Sequence, residues 1–137
     1  MIRRNPASRP RRGLSAVECA AVYPVAVLLL MGTLILGLGV FRYQQLQFLA
    51  RQGARYASVH GPTYASESGQ SKASTDTVLS HVQGMAVGLD GLNCSRVSYS
   101  ASTVPCTVSV TLTYTWTPGS PFSPMTWTVT STMPVTY

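Results

Sequence analysis

The sequence predicts an α+β chain, with a long N-terminal membrane-spanning helix, a second amphipathic helix and a three-stranded antiparallel meander. Three observations carry this. From Ala20 to Phe41 no residue is charged, and at about 1.5 Å per residue such a run is long enough for a helix to cross a hydrocarbon core of roughly 30 Å. Val78, Leu79, Val82, Met85, Ala86 and Leu89 recur at the spacing of one helix face. From Thr107 to Thr117 apolar and hydroxyl residues alternate without a break, which is the period of a half-buried strand.

The elements follow from the N-terminus. Residues 1–13, MIRRNPASRPRRG, hold two prolines, clustered arginines and no apolar periodicity; they cannot bury a face and are expected to be disordered or removed. The formal charge of +6 over 137 residues would suit a nucleic-acid binder if it were spread over a folded surface. It is not, because Arg3, Arg4, Arg9, Arg11 and Arg12 supply most of it and the charges beyond Gly13 nearly cancel. Arginines ahead of an apolar run hold that end on the cytoplasmic side. They outnumber Arg42, Arg51 and Arg55 beyond the run, so the N-terminus is expected inside and the remainder outside. No nucleic-acid partner is expected. A secretory signal is the competing reading, with Gly37-Leu38-Gly39 as a small-x-small cleavage site. The apolar run, however, exceeds the usual core of about 7 to 15 residues, and a cut there would discard Glu18.

Glu18 is the only acidic residue ahead of Glu67. A carboxylate at the centre of a membrane helix costs about 2.5 to 3.5 kcal/mol, which marks such a residue as functional. Against that, Glu18 stands near the cytoplasmic end, where it can snorkel to the head groups or share a helix face with Arg11. The residues alone leave both readings open.

Beyond the span, RYQQLQFLARQGARYASV contains no proline and continues the helix. Ala50, Gly53, Ala54 and Ala57 form a small-residue stripe. Such a stripe serves a stalk that packs on neighbouring helices or an amphipathic helix lying on its own domain, and the residues do not choose. His60-Gly61-Pro62 ends the helix. Residues 61–73 read as a polar linker, and Ser74 or Thr75 caps the second helix.

Three strands follow, with Val97 and Tyr99 in the first, Thr107 to Thr117 in the second and Met125 to Tyr137 in the third. Pro134 marks the third as an edge or bulged strand. Threonine-rich outer faces suit adhesion or glycosylation, though Thr is also a good strand former, which suffices. Cys94 and Cys106 flank the first strand in a compartment that permits a disulfide. A tight hairpin turning near Ala101 to Pro105 would instead set Cys94 opposite Leu112, and a disulfide needs Cα atoms within about 7 Å. Both remain open. Cys19 reads as a small apolar filler.

Little is present for catalysis. Glu67, Asp76 and Asp90 are scattered, and there is no nucleophile–base set, phosphate loop or cofactor motif. His60 and His81 lack metal-ligand spacing. No enzyme activity, metal, cofactor or small-molecule substrate is expected.

The stretch Gly13-Leu14-Ser15-Ala16-Val17-Glu18 resembles the processing site of type IV prepilins, in which a membrane peptidase cuts after the glycine and the glutamate is fifth in the mature chain. More closely, RRGLSAVECAAVYPVAVLLLMGTLILG followed by QGARYASVHG resembles the TadE-like minor pilins, or pseudopilins, of tight-adherence (Flp-type) pilus and secretion systems, over about Arg11 to His60. Pro24 falls where the family has its proline, whereas Cys19 stands where members usually have an aromatic residue.

The resemblance implies a pilin-like fold with a prepilin leader at 1–13, a transmembrane and stalk helix at 14–60 and a small exported α+β domain at 61–137. It also implies processing at Gly13 and Leu14 by a prepilin peptidase, and assembly with other pilin or pseudopilin subunits through Glu18. Such a subunit is bitopic in the cytoplasmic membrane and is incorporated into a pilus or surface filament. An unprocessed, membrane-anchored extracytoplasmic binding module, with Glu18 incidental, is the reading from a different class.

Overall fold

The computed structural model describes residues 12–101, 105–119 and 123–135, with side chains from Ala16 onward. Outside the described residues lie most of the basic leader, the tip of the expected first hairpin, part of the loop expected at Pro118 to Pro124, and Tyr137 at the expected end of the last strand. The elements run α1 (Arg12–Val59), α2 (Pro62–Ser68), α3 (Thr75–Gln83), β1 (Asn93–Tyr99), β2 (Thr107–Trp116) and β3 (Met125–Pro134). The α+β class and the three-stranded antiparallel meander are as expected. Two compact units are present, the first ending at Gly37 and the second beginning at Leu38.

In the second unit β2 is the central strand, with β1 and β3 antiparallel on either side. Its alternation does what the pattern requires: Val108, Val110, Leu112, Tyr114 and Trp116 are all buried. The opposite face is a ladder of hydroxyls. Ser109 meets Thr132 at 2.9 Å, Thr111 meets Thr130 at 3.0 Å and Thr115 meets Thr126 at 3.1 Å. Cross-strand pairs of this kind give each threonine a structural reason. Pro134 closes β3 at a sheet edge, where a missing N–H breaks little of the ladder. In β1 the register slips between Cys94 and Arg96, and the extra residue, Ser95, donates its hydroxyl to the Thr111 carbonyl at 3.2 Å.

The C-terminal part of α1 forms the other half of this core. Leu46, Leu49, Ala50, Ala54 and Ala57 are buried, and burying one leucine side chain stabilises by about 1.5–3 kcal/mol. At Gly53 three elements converge: a Cβ there would lie 3.1 Å from Val78, 3.3 Å from Val82 and 3.4 Å from Val110. The small-residue stripe is therefore spent within the chain, and of its two readings the intramolecular one is observed. Tyr99 of β1 ties down the end of α1, its hydroxyl donating to the Ala57 and His60 carbonyls at 3.0 and 3.2 Å. The Ala57 carbonyl lies in the last turn of α1, where intrahelical donors run out, and the His60 carbonyl also accepts the Ala73 N–H at 3.0 Å.

Two local expectations are corrected. The polar stretch 61–73 contains α2, a short helix begun by Pro62 in its first turn, the helical position where proline's missing N–H costs nothing. The apolar face expected from Val78 to Leu89 is helical only as far as Gln83. Gly84 lowers helix propensity by about 1 kcal/mol, and the next amides fold back on nearer carbonyls, Met85 N–H to Val82 and Ala86 N–H to Gln83 at 3.1 and 3.2 Å. Val78 and Val82 are buried as expected, whereas Met85 is exposed. Ser74 caps α3 through a reciprocal capping box with Thr77, an arrangement worth about 1 kcal/mol.

Candidate functional site: an exposed apolar helix with one carboxylate

The first unit is α1 alone as far as the described residues go, and its surface is apolar on every side. Val17, Val22, Tyr23, Leu28, Leu30 and Leu36 are all exposed, Leu28 by 72%. In water such a helix would lose the whole benefit of burial, so its surroundings must be protein or lipid. It is the one helix among the described residues long and apolar enough to cross a membrane.

Its polar interruptions are satisfied within the helix itself. Thr33 turns its hydroxyl back onto its own helix, donating to the Leu29 carbonyl at 2.6 Å and the Leu30 carbonyl at 3.0 Å, so the hydroxyl hydrogen is satisfied without solvent. Pro24 lies inside the helix without ending it. Proline removes one backbone bond, a defect that membrane helices accommodate more readily than soluble ones.

Glu18 is exposed on this helix, as is Cys19 beside it. Gly13 and Leu14 lie in the first turns of α1, which places the proposed cleavage point and the carboxylate on one helical segment.

The other sequence-selected residues lie in the second unit. His60 and His81 stack on the Tyr56 ring at centroid distances of 4.2 and 4.4 Å, so both imidazoles are packing groups. Among the described residues no three His, Cys, Asp or Glu side chains gather where a metal could sit. Cys94 and Cys106 are buried free thiols. Cys94 pairs across the ladder with Leu112, about 20 Å along β2 from Cys106 at 3.4 Å per residue. Burial pushes the Cys94 thiol above its ordinary value, against a smaller opposing effect of a hydrogen bond with the Arg96 backbone.

Sequence reasoning missed one constellation. Arg42 donates to the Gly88 carbonyl at 3.0 Å and to the Tyr114 hydroxyl, and beside it Tyr43 meets Trp127 edge-on at 6.0 Å. Trp127 in turn stacks on Trp116 at 5.4 Å. The only available signal was the concentration of aromatic residues where β2 ends and β3 begins.

In a comparison with protein families, residues 13–55 fit the family model described as TadE-like protein. The matched segment runs from the candidate processing glycine through the apolar span to the buried stripe of α1. Neither the curated proteins nor the solved structures yielded a match.

Proposed function

From a chain whose residues 13–55 are TadE-like, we propose that this protein is a structural subunit of a tight-adherence pilus or related secretion system. It is a minor-pilin-like protein, held in the cytoplasmic membrane by α1 with its N-terminus inside and its sheet-bearing unit outside. The observation that carries this reading is the coincidence, on one segment, of the TadE-like match, the Gly13-to-Glu18 spacing and a helix apolar on every side.

The chemistry is one of assembly. A prepilin peptidase hydrolyses the peptide bond after Gly13 and leaves a new amino group on Leu14. In a bundle of parallel, staggered helices, the Glu18 carboxylate of one subunit lies beside the Leu14 amine of the next. Each charge alone is expensive in hydrocarbon, and together they satisfy one another. Removing one member of a buried pair costs about 3–5 kcal/mol, because the other is left uncompensated. The pair therefore selects register as well as attachment, and a subunit in the wrong stagger is penalised. The protein contributes scaffold, with no catalytic step of its own.

The test is Glu18→Ala. Cleavage and membrane insertion are expected to persist, since neither needs the carboxylate to be paired, while the protein disappears from purified pili or from its membrane complex. Normal incorporation of the variant would refute the pairing.

A further inference from the structure

One end of the second unit carries side chains that a domain surrounded by water does not display. The last residues of the apolar run, Leu38, Val40 and Phe41, belong to this unit and are all more than half exposed. Arg42 follows, and its bond to the Gly88 carbonyl brings the loop after α3 to the same end. The residue before Gly88 is Val87, at 78% the most exposed of the large apolar side chains described.

The end of the sheet arrives there too. Gly39 lies against the Trp116 ring, so closely that a Cβ would stand 3.0 Å from it. Trp116 is paired across the ladder with Met125, which is half exposed. Both tryptophans of the chain are thus gathered beside Tyr43 and Arg42, at the point where the apolar run stops.

This composition matches one environment. Tryptophan and tyrosine concentrate at membrane–water interfaces, where an apolar ring and a polar edge are both accommodated. Arginine buries its stem and keeps its guanidinium at the head groups. Among the described residues the partners of Arg42, a carbonyl and a hydroxyl, are both neutral, which suits its charge to a lipid phosphate. Because Leu38 to Phe41 end the span, this end of the unit is the part that meets the bilayer surface wherever α1 leaves the hydrocarbon.

We propose that the surface formed by Val87, Met125 and the half-buried Trp127, beside Phe41 and Arg42 and backed by the buried Trp116, seats in the head-group layer of the phospholipid bilayer, so that the sheet rests on the membrane. This rests on α1 being the membrane anchor. The occupant is lipid, since the surface continues directly from the apolar run. The remaining outer face of the sheet, built of Ser and Thr, stays in water.

The two tryptophans serve as native probes. The full chain is reconstituted at several protein-to-lipid ratios in phosphatidylcholine–phosphatidylglycerol vesicles whose acyl chains are brominated either near the glycerol end or near the methyl end. Tryptophan emission is expected to be quenched most by the bromines near the glycerol end, independently of the ratio. Val87→Asp combined with Met125→Asp should weaken that quenching while leaving circular dichroism unchanged. Val87→Ser, at a position touching little else, gives a smaller loss in the same direction and guards against misfolding.

If the protein floats with the vesicles and is quenched by neither lipid, or more by the deeper bromines, the seating is overturned and the anchor stands. If the emission follows the protein-to-lipid ratio and ignores the bromines, a second copy covers the surface and the proposal is likewise overturned. A protein that fails to float overturns the anchor itself.

Discussion

Gly53→Leu probes whether the small-residue stripe of α1 belongs to its own core. The Cβ of any substituent would begin 3.1 Å from a Val78 methyl, 3.3 Å from a Val82 methyl and 3.4 Å from a Val110 methyl, where carbon atoms are best separated by about 3.5–4.0 Å. For alanine the compression is opposed by about 0.8–1.0 kcal/mol of helix propensity, and small shifts of the valines decide the sign. Leucine adds three more carbons to a junction closed by three β-branched side chains, which have little rotamer freedom with which to yield. Overpacking of this kind costs about 1–3 kcal/mol. With the upper part of that range expected at a three-element junction, the propensity gain leaves a net loss of about 2 kcal/mol.

For a unit of this size the loss lowers the melting temperature by roughly 8–16 °C, at about 4–8 °C per kcal/mol. Thermal unfolding of the full chain in detergent, followed through Trp116 and Trp127, reads the second unit directly. If Gly53→Leu melts with the parent protein and instead weakens association between subunits, the stripe faces a neighbour and the packing described above is wrong.

Further outcomes follow from Tyr99 and the cysteines. Burial, with the Cys106 thiol adding to it, pushes the Tyr99 hydroxyl from 10.0 up to about 12. The folded chain therefore keeps this proton after the unfolded chain has lost it, so the contribution is whole below about pH 10 and falls as the pH rises towards 12. Tyr99→Phe should flatten that alkaline loss in unfolding midpoints measured against pH, and at neutral pH should cost about 1 kcal/mol for the lost bonds to the Ala57 and His60 carbonyls. Cys94 and Cys106 should be recovered as free thiols in non-reducing peptide maps of protein collected outside the cytoplasm, with Cys94 alkylated only after unfolding; a bridged Cys94–Cys106 peptide pair would contradict the β1–β2 register.

The legible parts of this chain were those where one periodicity had one physical solution. The alternation from Val108 to Trp116 specified both the strand and its buried face, and the uncharged run from Ala20 to Phe41 specified a helix of spanning length. Where the same residues satisfy two environments, sequence reasoning stopped. Ala50, Gly53, Ala54 and Ala57 suit close approach to any helix or sheet, and only the positions of Val78, Val82 and Val110 show which surface they meet.

Composition misled at residues 61–73, because α2 buries nothing and so leaves no apolar signature. The periodic residues Met85, Ala86 and Leu89 extended α3 on paper, whereas the glycine at position 84 ends it. The aromatic end was illegible for a different reason. Tyr43 and Trp127 meet through tertiary packing across most of the sequence, which no local pattern records.

The most direct test of a pilin-type subunit is the intact mass of the chain extracted from membranes of a cell that carries a prepilin peptidase. Processing after Gly13 gives a protein that starts at Leu14 and retains Glu18 as its fifth residue, and Gly13 replaced by a bulky residue should leave the arginine-rich leader attached. A start at Met1 in the unaltered protein, or at Val40 after loss of Glu18 and most of the apolar run, would contradict it.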